Sequence, residues 1–531
     1  MSEQSGSCPE RSSPSAWRRP AFGGSGESTY AGGASAWRPG RRRMSAAPSA
    51  AEWKNFEGTC MSAGQLRLEY ANVLDKAIGA AHGIAPGEIK RAAPEVRAIV
   101  SRIERERKSG EHRYRDLPGD AAMLRAVRAA VRRFQPGCEN LVVLGIGGSA
   151  LGNIALQTAL NPPLHNLAPT TQRRGPRLFV MDNVDPVAVG DLLDLLGPRL
   201  RKTVFNVISK SGETAETAAQ FLIIRDLLAR KLGARGLAQR LLITTDPQTG
   251  TARQMADAIG CETLPVPPGV GGRFSVLSAV GLFSAGMCGV NLSRLMQGAA
   301  EMSRRVTEKN MSRNPAAMLA WLLYAFYCRG KRLHVMFPYS NQLRDLADWY
   351  RQLWAESLGK NLDQQGRPVI VGPTPIDALG ATDQHSQVQL YREGPNDKVF
   401  IFLQVEKFSR DVKIARRAGT PETLRYLEGA TLGKLLNAEK LATEYALVAN
   451  QRPCMTIRLP KVSEHTVGQF IMLWEAATTI AGYLLNINPY DQPAVQMGKD
   501  YTYGLMGKKG YEKQARRIGN FVRQSSGRYS V

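Results

Sequence analysis

This 531-residue chain shows no paired cysteine spacing, no metal-ligand motif in its sequence and no clean membrane-spanning run. Its seven cysteines, at 8, 60, 138, 261, 288, 328 and 454, lack the spacing of a zinc site or a redox dithiol. An odd, dispersed set fits a reducing cytoplasm. Phe274 to Ser293 carries no charged residue and is about as long as a span requires, but its serines, glycines and asparagine make a poor one. A buried helix of small residues is expected there instead. No apolar core of signal-peptide length follows the early arginines. No arginine run is interleaved with aromatics, so a nucleic-acid track is not expected. No Gly-Lys-Ser/Thr and no full dinucleotide fingerprint is present, which excludes the P-loop and leaves no cofactor motif.

What is there describes a globular protein larger than one core normally supports, so two domains are expected. The apolar fraction is 43% and the charged fraction 22%. The formal charge of +24 is less ordinary and draws anions, whether nucleic acid, anionic lipid or a phosphorylated metabolite. The bland alternative is a general arginine bias. Residues 1 to 43, rich in Gly, Ser, Pro and Arg, cannot repay their ordering entropy and read as a disordered leader. Met44 and Met61 are candidate starts. A transit peptide is the sharper alternative, opposed by Glu3, Glu10 and Glu27.

Residues 44 to 134 read as a helical N-terminal region: Val96, Ile99, Val100 and Ile103 form one stripe, and Leu124, Val127, Val131 and Phe134 another. The character changes at Leu141, where LVVLGI is strand-like and runs into Gly147, Gly148, Ser149 and a helical SALGNIALQTAL. RLFVMD, TVFNVISK and LLITTD continue an alternation of strand and helix up to about residue 310. A second series follows from 311 to about 490: helix AAMLAWLLYAFY, strand LHVMFP, helix RDLADWYRQLWAESLGK, strand PVIVG, helix SQVQLYREG, strand KVFIFLQV, helix TLGKLLNAEKLATEYALV, strand CMTIRL and a helix from His465 to Leu485. Residues 491 to 531 read as a cationic helical tail. Two such series imply two parallel-type sheets with helices on both faces. Their ligands are expected beyond the C-terminal ends of the strands.

Two loops and one helix carry the candidate chemistry. Strand, glycine turn and helix in that order leave backbone N–H groups and a helix start at Gly147-Gly148-Ser149, an anion site of weak specificity by itself. The second loop, Ser209-Lys210-Ser211-Gly212-Glu213-Thr214, sets three hydroxyls and an ammonium before a helix, which suits a phosphate monoester. A capping box would explain Thr214 without a ligand. In the third segment, Gln352 and Glu356 are four apart and share one side of a helix whose Leu346, Trp349, Tyr350 and Leu353 face the core. A lone Glu356 would read as a solvated helix end. Arg273, behind two glycines in Val270-Gly-Gly-Arg-Phe-Ser, sits where backbone can approach closely.

GIGGSALG, SKSGETAET, GVGGRFSVLSAVG, WAESLGK, DQHSQVQL and GYLLNINPYDQPAVQMGK, in that order, resemble the glucose-6-phosphate isomerase family from about Gly145 to Lys499. The resemblance implies an α/β fold of two sugar-isomerase (SIS) domains, flavodoxin-like and three-layered, over about 135 to 310 and 311 to 490. It implies a homodimer, and the sequence itself shows no metal ligands and no cofactor fingerprint. By the same resemblance Glu356 is the base that moves a proton between carbons 2 and 1, and Arg273 lies near the developing enediolate. His385 and Lys499 match residues linked to ring opening, the histidine supplied by the partner subunit. Gly148, Ser149, Ser209, Lys210, Ser211 and Thr214 match phosphate and sugar contacts, and Gln352 and Gln492 match glutamines beside the base and the lysine. Ser211 stands where many members place threonine, and the hydroxyl survives.

The expected reaction interconverts glucose 6-phosphate and fructose 6-phosphate, in a cytoplasmic enzyme with no nucleic-acid or membrane partner. Such chemistry needs a carboxylate held dry near a weakly acidic proton, a cation that cannot lose its own proton, and a grip on the unreactive phosphate. Two rivals remain: a non-catalytic sugar-phosphate sensor, for which no effector domain is visible, and an isomerase that also accepts mannose 6-phosphate.

Overall fold

In the computed structural model, residues 64–525 are described. The expected leader over 1 to 43 and the first part of the N-terminal region lie outside them. In chain order the elements are β1 (Arg67–Glu69), α1 (Asp75–Ile78), α2 (Pro86–Lys108), α3 (Ala121–Phe134), β2 (Asn140–Leu144), α4 (Leu151–Leu160), β3 (Arg177–Met181), α5 (Pro186–Leu196), β4 (Thr203–Ile208), α6 (Ala215–Arg240), β5 (Leu241–Thr245), α7 (Thr251–Ile259), β6 (Glu262–Pro265), α8 (Ala279–Met287) and α9 (Leu292–Arg305). There follow α10 (Pro315–Cys328), β7 (Leu333–Pro338), α11 (Arg344–Leu358), β8 (Lys360–Leu362), β9 (Pro368–Val371), β10 (Thr374–Asp377), α12 (Val388–Glu393), β11 (Lys398–Val405), α13 (Leu432–Ala449), β12 (Cys454–Leu459), α14 (Glu464–Leu484), α15 (Ala494–Leu505) and α16 (Glu512–Ser525).

The first sheet runs β3-β2-β4-β5-β6 and is parallel throughout. Counted from its own first strand this is the flavodoxin-like order 2-1-3-4-5, with its reversal between β2 and β4. The loops after those two strands are the glycine loop and the Ser209–Thr214 loop, so topology alone sets both anion-binding candidates at the crevice. The second sheet, β1-β12-β11-β7-β10, repeats the order 2-1-3-4, and β1 fills the fifth place antiparallel to β12. The N-terminal region therefore contributes an edge strand as well as helices.

Strand alternation divides each sheet's side chains between two cores. Leu141 and Val143 of β2 join a cluster that also holds Ile401, Leu403, Met455 and Ile457 of the second sheet, while Val142, Leu144, Phe205 and Val207 pack into a separate outer cluster. Val335, Phe337, Phe400 and Phe402 form the corresponding outer cluster of the second sheet. Burial on both faces explains why these strands read as continuous apolar runs. Helix α14 is buried along almost its whole length and packs against α9, α10 and α11.

Two expectations change. PVIVG belongs to no main sheet: β9 pairs antiparallel with β8 in a separate ribbon, where Ile370 is 82% exposed. The edge strand is β10, whose Pro375 and Asp377 give it little strand character. The buried small-residue helix expected over 274 to 293 is α8, shorter than anticipated because Asn291 caps the start of α9 with its side chain on Arg294 N. No helix among the described residues is long and apolar enough to cross a membrane, and their five cysteines are free.

Candidate active site

Glu356 lies in the last turn of α11, which the apolar Leu346, Trp349, Tyr350 and Leu353 fix against the core. Gln352, one turn earlier, donates from Nε2 to Glu356 Oε2 at 3.0 Å. The other carboxylate oxygen meets Arg273: Nη1 donates to Glu356 Oε1 at 3.0 Å. Arg273 is only 3% exposed. Its Nε donates to Ser357 Oγ at 2.7 Å, its Nη2 to the carbonyls of Pro489 (2.7 Å) and Asp491 (3.1 Å), and its Nη1 also to Gln492 Oε1 at 3.0 Å. All five guanidinium N–H groups are thus directed, by α11 on one side and the 489–492 segment on the other. Burial lowers the guanidinium pKa against the opposing pull of Glu356, and an arginine stays charged nonetheless.

Glycines make this contact possible. A Cβ on Gly148 would stand 2.2 Å from the carbonyl carbon of Gly272 and 2.6 Å from Arg273 N, so the two glycine loops touch backbone to backbone. Gly147, at φ +56°, would meet Gln352 Nε2 at 2.9 Å. Ser149 is half-buried at the end of the same turn, and its carbonyl accepts from Asn153 Nδ2.

In the neighbouring loop Ser209 is buried and its Oγ accepts from Gly212 N at 3.0 Å. Ser211 Oγ accepts from Glu213 N at 3.2 Å. Both hydroxyls so keep their protons for donation. Thr214 occupies the N-cap position of α6, yet its side chain makes no capping hydrogen bond. The capping explanation for Thr214 therefore does not hold. The loop is pinned to β5 and α7: Lys210 O accepts from Thr245 Oγ1 at 3.1 Å and Ser211 O from Thr251 N at 2.9 Å. The Lys210 side chain is exposed.

The structure thus brings Arg273, Gln352, Glu356 and Gln492 into one hydrogen-bonded group, with Gly148 against its edge. His385 and Lys499 are not part of that group. His385 is exposed just after the turn Thr382–Gln384, and Lys499 is exposed on α15. Sequence reasoning missed Ser357, Lys360 and the 489–491 carbonyls. Lys360 Nζ donates to the carbonyls of Glu356 (2.8 Å) and Ser357 (3.0 Å) and lies 3.6 Å from Asp491 Oδ1. It closes the C-terminus of α11 as a cation should, while burial, then Arg273, lowers its pKa. A lysine directly behind a helix-ending glycine was the available signal. Among the described residues one trio, Glu106, Glu111 and His112, has ligand atoms within 4.8 Å of one another, enough to share a cation, and none of the three belongs to the Arg273 group.

A family model described as phosphoglucose isomerase matches residues 135–521. The chain belongs to the phosphoglucose isomerase family. A glucose-6-phosphate isomerase of Carboxydothermus hydrogenoformans is 44% identical over 422 residues, covering 79% of this chain and 90% of that protein. One from Rubrobacter xylanophilus is 41% identical over 446 residues, covering 84% and 98%. Among solved structures, a hypothetical protein of Thermus thermophilus superposes with a TM-score of 0.75 at 36% identity, covering 83% of this chain and all of that one. All the residues of the Arg273 group fall within the span that the phosphoglucose isomerase model matches.

Proposed function

We propose that this enzyme interconverts D-glucose 6-phosphate and D-fructose 6-phosphate by proton transfer through a cis-enediolate. The observation that carries the reading is the ion pair between Glu356 and the buried Arg273, which touches the glycine loop after β2, while the adjacent strand β4 leads into a loop of hydroxyls that suits a phosphate. Relatives named glucose-6-phosphate isomerase support the substrate assignment.

In this mechanism Ser209, Lys210, Ser211 and Thr214 hold the phosphate, with Gly148 and Ser149 lining the sugar side. Glu356 removes the proton from carbon 2 of the open-chain aldose. The electron pair forms the C1–C2 double bond and pushes charge onto O1, where Arg273 faces it. The proton on O2 passes to the O1 oxyanion, and the carboxylic acid so formed returns its proton to carbon 1 as the C2–O2 double bond of the ketone forms. Gln352 orients the carboxylate, and Gln492 shares Nη1 of Arg273 with it. Lys499 and His385 serve ring opening, the histidine reaching the site from a second copy in a homodimer. Residues 135–310 and 311–490 act as the two sugar-isomerase domains, with 491–531 as the tail that carries Lys499.

The test is equilibration of purified protein with fructose 6-phosphate in D2O. Glucose 6-phosphate should appear, with deuterium at carbon 2. Absence of product and of exchange overturns the proposal, and mannose 6-phosphate in a parallel vessel reports the breadth of substrate.

A further inference from the structure

We propose that Tyr490, held in place by His112, is a positioning residue that aims Arg273 at the reacting carbons. The inference rests on the reading of Arg273 as the counter-charge to the enediolate. Three of the five acceptors on Arg273, namely Pro489 O, Asp491 O and Gln492 Oε1, come from a stretch that is neither helix nor strand. No ladder of backbone bonds sets its register, so something else must.

The anchor is the residue between the two carbonyls. Tyr490 OH lies 2.5 Å from His112 Nδ1 and 3.0 Å from Thr479 Oγ1. Its ring packs against Phe274, the neighbour of Arg273, with centroids 5.3 Å apart, and against His112 at 5.4 Å. Behind it, His112 Nε2 meets Glu106 Oε2 at 3.0 Å. That carboxylate also accepts from Arg102 Nε at 2.7 Å and from Tyr483 OH. An ionised carboxylate only accepts, so it fixes the imidazole proton on Nε2 and leaves the Nδ1 lone pair for the phenol proton. The chain runs one way, phenol to imidazole to carboxylate, and ends on α2.

His112 adopts φ +52°, ψ 37°, a left-handed conformation that costs a residue with a side chain on the order of 1 kcal/mol. It is nonetheless buried, with both ring nitrogens engaged. A strained histidine spanning helix α2 and the 489–492 segment is what a device for fixing that segment requires. A shift of a few tenths of an ångström in Pro489 or Asp491 would turn Nη1 away from Glu356, with little consequence for the phosphate grip in the 209–214 loop.

The test compares Tyr490→Phe, His112→Ala and the double variant with the parent and with Arg273→Lys, each melted thermally. Tyr490→Phe and His112→Ala should each lower kcat by about ten- to thirty-fold with KM within about threefold, and the double variant should be no worse than the poorer single. His112→Asn, which keeps an acceptor near Nδ1, should restore part of the loss. Binding of a six-carbon alditol phosphate, which has no carbonyl, should hold within twofold. Binding of a five-carbon aldonic acid phosphate, whose carboxylate imitates the enediolate, should weaken in step with kcat. Tyr490→Phe at parental turnover, or both ligands weakening together with a lowered melting temperature, overturns the inference. Arg273→Lys at parental turnover instead overturns the reading of Arg273 on which it rests.

Discussion

Replacing Glu356 by Gln separates the chemistry from the architecture because the structure can absorb the amide. The new side chain keeps an oxygen for Arg273 Nη1, now 3.0 Å from Glu356 Oε1. Its nitrogen then faces Gln352 Nε2, donor against donor. Gln352 Oε1 is buried without a partner, so turning that amide over restores the bond. What remains is a buried guanidinium whose other acceptors, a hydroxyl, two carbonyls and an amide, are all neutral. Losing the charged acceptor should cost about 1–2 kcal/mol of stability and a few degrees of melting temperature. The loss in turnover should be far larger. A positioned general base contributes roughly 10²–10⁴-fold, about 3–5 kcal/mol of barrier, and an amide cannot take its place. In an assay coupled to a dehydrogenase that oxidises glucose 6-phosphate, kcat should fall at least a hundredfold with KM within about fivefold. Turnover above a tenth of the parent's would refute Glu356 as the base. A loss of turnover that tracks a collapse in melting temperature would refute the claim that the structure absorbs the change.

Other expectations follow from single contacts. Gly148→Ala forces a Cβ to within 2.2 Å of the Gly272 backbone, so the loops must part. Turnover should fall by more than a hundredfold and the melting temperature should drop, whereas Gly190→Ala, with open space around it inside α5, should stabilise by up to about 1 kcal/mol. Lys210→Ala should raise KM about tenfold with a smaller change in kcat, and added salt should narrow the gap from the parent; an unchanged KM would remove Lys210 from the phosphate site. Glu475, 0% exposed with both carboxyl oxygens unpartnered, is held well above the usual carboxylate range by burial. The unfolded chain releases this proton and the folded one keeps it, so stability falls as pH rises above the ordinary range, by about 1.4 kcal/mol per unit until the folded group ionises. Glu475→Gln should therefore melt above the parent by a margin that widens from pH 5 to pH 7, and a margin independent of pH would contradict this.

What could be read from the chain and what could not divide along a physical line. Strands buried on both faces, such as Lys398–Val405, announce themselves as apolar runs, and the helix carrying Glu356 shows its core face by spacing. Val369 and Ile370 look equally strand-like, yet they sit in a surface ribbon, because β-branching reports a fit to extended backbone and says nothing of which neighbour pairs with it. Thr374–Asp377 reverses the error: an edge position tolerates a proline and an acid, so the strand leaves no mark. The i, i+4 relation of Gln352 and Glu356 was visible locally. The meeting of Arg273 with Glu356, 83 residues apart, was not. Still less visible were the carbonyls of Pro489 and Asp491, since every residue has one and only the fold decides which are used.

The same contacts bear on how Arg273 could act. With all five donors directed at protein acceptors, it can meet a developing negative charge only by giving up one of them. Ser357 is fixed in the buried turn of α11, and the two carbonyls are held by the backbone on either side of Tyr490. Nη1 is different: it divides its attention between Glu356 and the exposed side chain of Gln492. Under the proposed mechanism an enediolate oxygen arriving there would displace a neutral amide that water can receive, while the other four bonds would keep the guanidinium plane where it was. Removal of the carbon 2 proton would also neutralise Glu356, so its hold on Nη1 weakens as charge grows on the sugar. In the proposed mechanism the positive charge would thus pass from the base to the intermediate without the arginine moving, which is what a preorganised electrostatic site requires.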